Sequence, residues 1–282
     1  MKKLIILLFV FGLIVGSGQT AMAQILDNPP VDGLFVDNGL IDKEPIPLPS
    51  IRKADVMWSK RIWREIDFRQ KMNQPFYYPI ESHNNWRSFM SVIMDGLKEG
   101  SFVAYDISNT DELLVPLTFN EVIARQTDTI RTIMTRPFPP YEQYDTTIFT
   151  EFDATRIMRL RIKEDWYFDK QRSQLMVRII SFCPVMIKER NGQEVTEPLF
   201  WVSYPQSREV LAKAEVFNRN NSAEKRTFDE LFWKRMFDSY IYKEENVYDR
   251  RISQYATGID ALLESERIKM SLFEFEHDIW EY

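Results

Sequence analysis

The chain has 282 residues, 44% hydrophobic, 28% charged and 14% aromatic, a balance that excludes disorder, collagen and low-complexity arrays and calls for a real core. Lysine and arginine total 36 against 42 acidic residues, for a net charge of −6, so nucleic acid is not expected as a partner. The one cysteine, Cys183, forms no intrachain disulfide and reads as a small buried hydrophobe after a strand-like run.

Lys2 and Lys3, the apolar run Leu4 to Val15 and the small-x-small pattern Ala21-Met22-Ala23 predict a secretory signal peptide over residues 1–23, cleaved after Ala23. No cysteine stands at the cleavage point, so the chain is not expected to be a lipoprotein, and any membrane association must come through a partner. Residues 24–52 carry Pro29, Pro30, Pro45, Pro47 and Pro49, which block helix and ladder formation and predict an extended arm rising about 3.1 Å per residue. The arm is either a leader or a segment that docks on a neighbouring subunit; Leu34, Phe35, Leu40 and Ile46 favour docking, since a spacer has no use for them.

A domain over residues 53–282 follows. Trp58, Ile62 and Ile66, with Trp63 beside them, predict an amphipathic helix from Asp55 to Lys71. Trp86 to Leu97 has helical spacing, with Asn84 or Asn85 as cap and Gly100 as stop. Strands are expected at Phe102–Tyr105 and Leu113–Leu117, then a short helix opened by the capping box Thr118/Glu121. Arg136–Tyr141, rich in proline, reads as a connector and possible subdomain boundary. Met158, Leu160 and Ile162 alternate with Arg159, Arg161 and Lys163, predicting a strand with one wet face that turns at Asp169–Ser173 into Leu175–Phe182. A second hairpin turns at Asn191-Gly192. Pro205 opens a helix to about Phe217, Thr227/Glu230 cap another that carries Leu231, Phe232, Met236 and Tyr240, and the tail from Ile259 is helical. Met57–Trp63 and Leu231–Phe237 share a pattern that hints at an internal repeat, each opening a long helix. The class is α+β: a central antiparallel sheet of hairpins flanked by amphipathic helices.

Chemistry is scarce. No phosphate-cradling glycine motif, nucleophile elbow or metalloprotease helix occurs, and the two histidines, His83 and His277, are far apart in sequence. Glu274, Glu276, His277 and Asp278 suit a solvated acidic tail better than a metal site, because neighbours on a helix diverge. Asp27-Asn28 and Asp37-Asn38-Gly39 lack the ligand spacing of calcium loops. Neither cofactor nor catalytic residues are expected. The surplus signal is aromatic: 7 Trp, 12 Tyr and 20 Phe exceed what many cores need, and Trp, Tyr and Arg dominate binding hot spots. Candidate partner contacts are therefore Trp58, Trp63 and Arg64, then Tyr240, Tyr242 and Tyr248 with Arg250 and Arg251. A glycan platform would use the same residue types, which leaves a periplasmic peptidoglycan- or glycan-binding module as the alternative and a carboxylate-dependent hydrolase as a third reading.

Three blocks carry a family resemblance. They are Asp55-Val56-Met57-Trp58-Ser59-Lys60-Arg61-Ile62-Trp63-Arg64-Glu65-Ile66-Asp67 running into Lys71-Met72-Asn73-Gln74-Pro75, Ile162 to Ser173 around Trp166-Tyr167-Phe168, and the aromatic segment Phe228–Tyr242. Together they resemble the GldN family, also called PorN, with its paralogue GldO. The resemblance implies a non-enzymatic periplasmic component of the type IX secretion system and gliding machinery of Bacteroidota. It further implies a ring built from copies of the subunit with an outer-membrane lipoprotein, GldK or PorK, and contact with the GldM or PorM shaft driven by the GldL motor.

Overall fold

Trp58, Ile62 and Ile66 lie four residues apart, a spacing that suits one face of a helix and equally one face of a strand. The chain takes the second option: strand β1 runs Val56–Asp67, and every residue from Ile62 to Ile66 is buried. Burial of consecutive residues needs cover on both sides, which the centre of a sheet has and a surface helix lacks. The helix expected over Asp55–Lys71 is thus corrected to a strand.

The computed structural model describes residues 40–279 except positions 41, 84, 109–110, 128, 136–142, 150–152, 191, 220 and 222. The expected leader, the first part of the arm with Leu34 and Phe35, and the connector Arg136–Tyr141 lie outside the described residues. After β1 come α1 (Gln74–Tyr77), α2 (Phe89–Glu99), β2 (Ala104–Tyr105), β3 (Pro116–Leu117), α3 (Phe119–Gln126), β4 (Thr129–Thr135) and β5 (Gln143–Phe149). Then follow β6 (Ile157–Asp169), β7 (Gln174–Arg190), β8 (Gln193–Pro198), β9 (Trp201–Ser203), α4 (Tyr204–Lys213), β10 (Glu215–Val216), β11 (Arg226–Thr227), α5 (Phe228–Trp233), β12 (Tyr240–Glu244) and α6 (Ile259–Asp278). The main sheet is antiparallel and eight-stranded, in the order β12-β1-β6-β7-β9-β2-β3 with β8 paired to β7, while β4 and β5 pair only with each other. The expected α+β class holds.

Local signals account for the helix ends. Ser88, rather than either asparagine, caps α2 by accepting from Ser91 N, and Gly100 ends it at φ 74°, a left-handed conformation that glycine adopts without strain. Thr118 and Glu121 form the expected capping box, so Thr118→Ala should lower stability by about 1 kcal/mol in a urea titration. Helix α5 stops at Trp233 because Arg235 takes φ 52°. The chain then turns into β12, so Tyr240 stands on a strand and not on the expected helix. Leu231–Phe237 therefore spans a helix end and a turn while Met57–Trp63 is a strand, and the repeat has no structural counterpart.

Three apolar clusters sit on the sheet. The largest packs α2, α4 and α5 against one face, with Phe76, Phe89, Phe182, Phe228 and Phe232 at its centre. A smaller one joins Ile62 and Ile241 to Ile268 and Leu272 of α6. On the opposite face of β1, where alternation points Trp63, that residue clusters with Cys183 and Trp201 beneath Ile107 and Leu113. The expected wet face of β6 is not wet. Arg161 and Lys163 are buried; Lys163 Nζ donates to the Asp111 carbonyl, and Lys243 Nζ lies 3.1 Å from Asp111 Oδ2.

Asn73, in the first family block, is fully buried and stitches two turns together. Its Nδ2 donates to Asp67 O and Asp238 O, both at 2.9 Å, and its Oδ1 accepts from Asp238 N at 2.9 Å. Asn73→Asp keeps the shape but puts a carboxylate against two carbonyls. A loss of about 2–3 kcal/mol is expected in chemical denaturation, since a buried polar group left facing like partners loses its full desolvation cost.

Candidate interaction surfaces

The arm meets the domain through acceptors. With proline at 45, 47 and 49 it has few N–H groups to offer, and arginines supply the donors: Arg208 Nη2 to Ile46 O at 2.5 Å and Arg178 Nη2 to Pro49 O at 2.6 Å. Arg208 is itself fixed by a buried two-point pair with Asp229, both contacts at 2.8 Å. Lys43 Nζ lies 2.5 Å from Glu230 Oε1. The described part of the arm thus rests on its own domain, with Leu40 and Ile46 half-buried, and Leu48 and Pro49 wall a cavity of about 330 Å³ beside β7.

Several of the anticipated contact residues are buried or half-buried. Trp58 packs on Phe275 of α6 at 4.4 Å between ring centroids. Trp63 is buried under Lys243, whose Nζ stands 4.3 Å from its ring centre. Arg64 is buried and lies 3.2 Å from Glu164. Tyr240 donates to Glu65, and Tyr242 lies under the Arg161 guanidinium at 4.9 Å. Alternation along β1 and β12 explains this, because both strands carry cover on both faces. These aromatic residues pack against the sheet over much of their surface.

Tyr248, Arg250 and Arg251 are on the outside. Arg250 is stacked between Tyr248 at 4.9 Å and Tyr255 at 4.7 Å, beside Val247, which is 97% exposed. On α6, Ile259, Leu262, Leu263, Met270 and Phe273 are exposed while Ser265, Ile268 and Leu272 are buried. Sequence reading missed this outer row. Its signal was available as a second apolar stripe, 259/263/270, offset from the first by less than a helical turn. Exposed large apolar side chains gathered on one helical face, here with Glu266 among them, are the kind of surface that interaction sites use.

Cys183 is fully enclosed, and burial pushes its thiol from 9.0 up to about 12. Because the folded value is the higher one, the protonated thiol's contribution to stability is intact below about pH 9 and is lost as the pH climbs toward 12. Burial also raises Tyr240 and Tyr242, which adds to the same alkaline loss. At pH 8 the native protein should resist iodoacetamide and react on unfolding in urea; labelling at equal rates in both states contradicts this burial.

Among the described residues no group of three or more His, Cys, Asp and Glu side chains could hold a metal ion, and no helix is long and apolar enough to cross a membrane. What the fold and its surfaces define is an α+β domain whose distinctive outer feature is an apolar, aromatic face fit for protein contacts. Residues 51–281 match the family described as gliding motility associated protein GldN, and the chain belongs to that family. Comparison with curated proteins finds no match.

Proposed function

We propose that this chain is an exported, non-enzymatic structural subunit of the type IX protein secretion and gliding apparatus. In this reading, copies of it build a periplasmic ring with an outer-membrane lipoprotein of the GldK/PorK kind and link that ring to a motor-driven shaft of the GldM/PorM kind. The observation that supports it most is the exposed row on α6 with the Tyr248–Arg250–Tyr255 stack, set in a member of a gliding motility family. Buried aromatic anchors at an interface commonly cost 2 kcal/mol or more when truncated, and this face supplies candidates for such anchors. The leader and the membrane association through a lipoprotein complete the reading.

The test is co-purification of the mature chain with the lipoprotein. A stable co-complex on size exclusion is expected, and Leu263→Glu with Phe273→Asp should abolish it while leaving the far-UV circular dichroism unchanged. A wild-type chain that ignores the lipoprotein but is retained on peptidoglycan would replace this reading with the glycan-binding one. N-terminal sequencing of the protein from the envelope should begin at Gln24. Deleting Gln24–Ser50 removes the Lys43, Ile46 and Pro49 contacts and should lower Tm by several degrees as well as weakening assembly, since Arg208 and Arg178 lose acceptors.

A further inference from the structure

A cavity of about 520 Å³ opens between α1, the β10–β11 hairpin and α5. Its charge is one-sided. Lys71, Arg219 and Arg226 line it and no carboxylate does, in a chain whose acidic residues outnumber its basic ones, 42 to 36. Two carboxylates act on Arg226, Glu224 and Glu230, and both are engaged. Glu224 takes Arg226 at 2.5 and 2.8 Å and accepts from Asn218 Nδ2 at 3.0 Å, while Glu230 lies 2.5 Å from Lys43 and 3.8 Å from Lys234. Lys71 and Arg219 are left over. Both are exposed, and among the described residues neither side chain has a hydrogen bond or an ion pair. Beside these cations the walls are largely apolar: Val216 and Leu231 are buried, and Phe217 and Tyr78 stand at 36% and 47% exposure.

We infer that this cavity receives residues 31–38 of a second copy of the chain. Residues 24–42 hold four aspartates and no lysine or arginine, so the arm is of opposite sign to the cavity. Within it Asp32 and Asp37 bracket Leu34, Phe35 and Val36, two negative charges around an aromatic and aliphatic centre. The cavity offers the reciprocal set, the spare cations Lys71 and Arg219 around an aromatic and aliphatic wall. Complementary charge steers the encounter and fixes register, and a seated aromatic side chain supplies the affinity. A simple anion would use the cations and leave Tyr78 and Phe217 unmatched. The source of the segment rests on the reading of the chain as a ring subunit, in which copies stand side by side; the cavity and its charge do not.

A fluorescein-labelled peptide of residues 31–38 with blocked ends, titrated into the mature chain and followed by anisotropy, tests the site. It should bind at low salt. Asp32→Asn with Asp37→Asn in the peptide should weaken binding by about tenfold, as should raising the salt from about 0.05 to about 0.5 M. Phe35→Ala in the peptide should weaken it by a similar factor, and Lys71→Glu with Arg219→Glu in the chain, both at exposed positions, should abolish it at unchanged Tm. Absence of binding overturns the site, as does binding indifferent to salt and to these changes. A second measurement fixes the source. Copies with Phe35 replaced by photoreactive benzoylphenylalanine are mixed with an excess of unmodified copies labelled with nitrogen-15, and the cross-links are mapped by mass spectrometry. Links from position 35 to residues 71–78 or 216–226 of the heavy chain are expected. Links confined to the light chain assign the segment to its own copy and overturn the proposal, as do links to other surfaces. No lipoprotein enters this mixture, so the two failures are distinct: a missing lipoprotein complex removes the ring reading, and missing heavy-chain links remove this inference alone.

Discussion

Glu164→Ala should be among the most damaging single changes in the protein, with a loss of about 3–5 kcal/mol, the cost of removing one partner from a buried ion pair. The carboxylate is fully buried and lies against Arg64, Arg235 and Trp166 Nε1. Its removal leaves two guanidinium groups facing each other, Arg64 buried and Arg235 about a third exposed. At about 2–4 °C per kcal/mol for a domain of this size, Tm should fall by roughly 10 °C. Glu164→Gln keeps the volume and one acceptor and should cost less. A change of under 1 kcal/mol for the alanine variant would mean that water reaches Arg64 freely and that its burial is not what it costs energy to maintain.

Phe232→Ala is the apolar counterpart. The ring is buried and lies 5.3–6.4 Å, centroid to centroid, from Phe76, Phe89, Phe182, Tyr204 and Phe237. These rings come from separate elements, so one side chain ties α1, α2, β7, α4 and the turn after α5 together. A loss of about 3–5 kcal/mol is expected, combining lost transfer energy with a cavity that rings held by separate elements cannot close. Phe232→Leu, which refills much of the volume, should recover part of it. Equal losses for both variants would point to the ring geometry and not to the cavity as the source.

What could be read from the sequence follows the range of the forces involved. The helices α2, α3 and α6, the Asp169–Ser173 hairpin and the turn at Gly192 rest on caps, glycines and periodicity within a few residues, and each is legible. Strand β1 is not, because a four-residue spacing fits both periods and only the partners at β6 and β12 decide between them. The early end of α5 depends on Arg235 reaching Glu164, far off in sequence. The burial of Lys163 depends on Asp111, and that of Arg161 on Glu65 and Tyr242, all far off in sequence. Among the candidate contacts, Tyr248, Arg250 and Arg251 are exposed as an interface requires. Trp63 is buried and Tyr240 and Tyr242 are half-buried, and residue type alone does not tell an anchor from a core ring.

The hydroxyl of Ser265 on α6 accepts from Ile241 N of β12 at 2.9 Å. That bond occupies a main-chain donor on the sheet's outermost strand. At that point the border has no donor left for an added strand, which hinders growth of the sheet by a neighbouring molecule. A capped edge of this kind favours joining through side chains over pairing of main chains, the arrangement that keeps crowded copies from zipping into fibres.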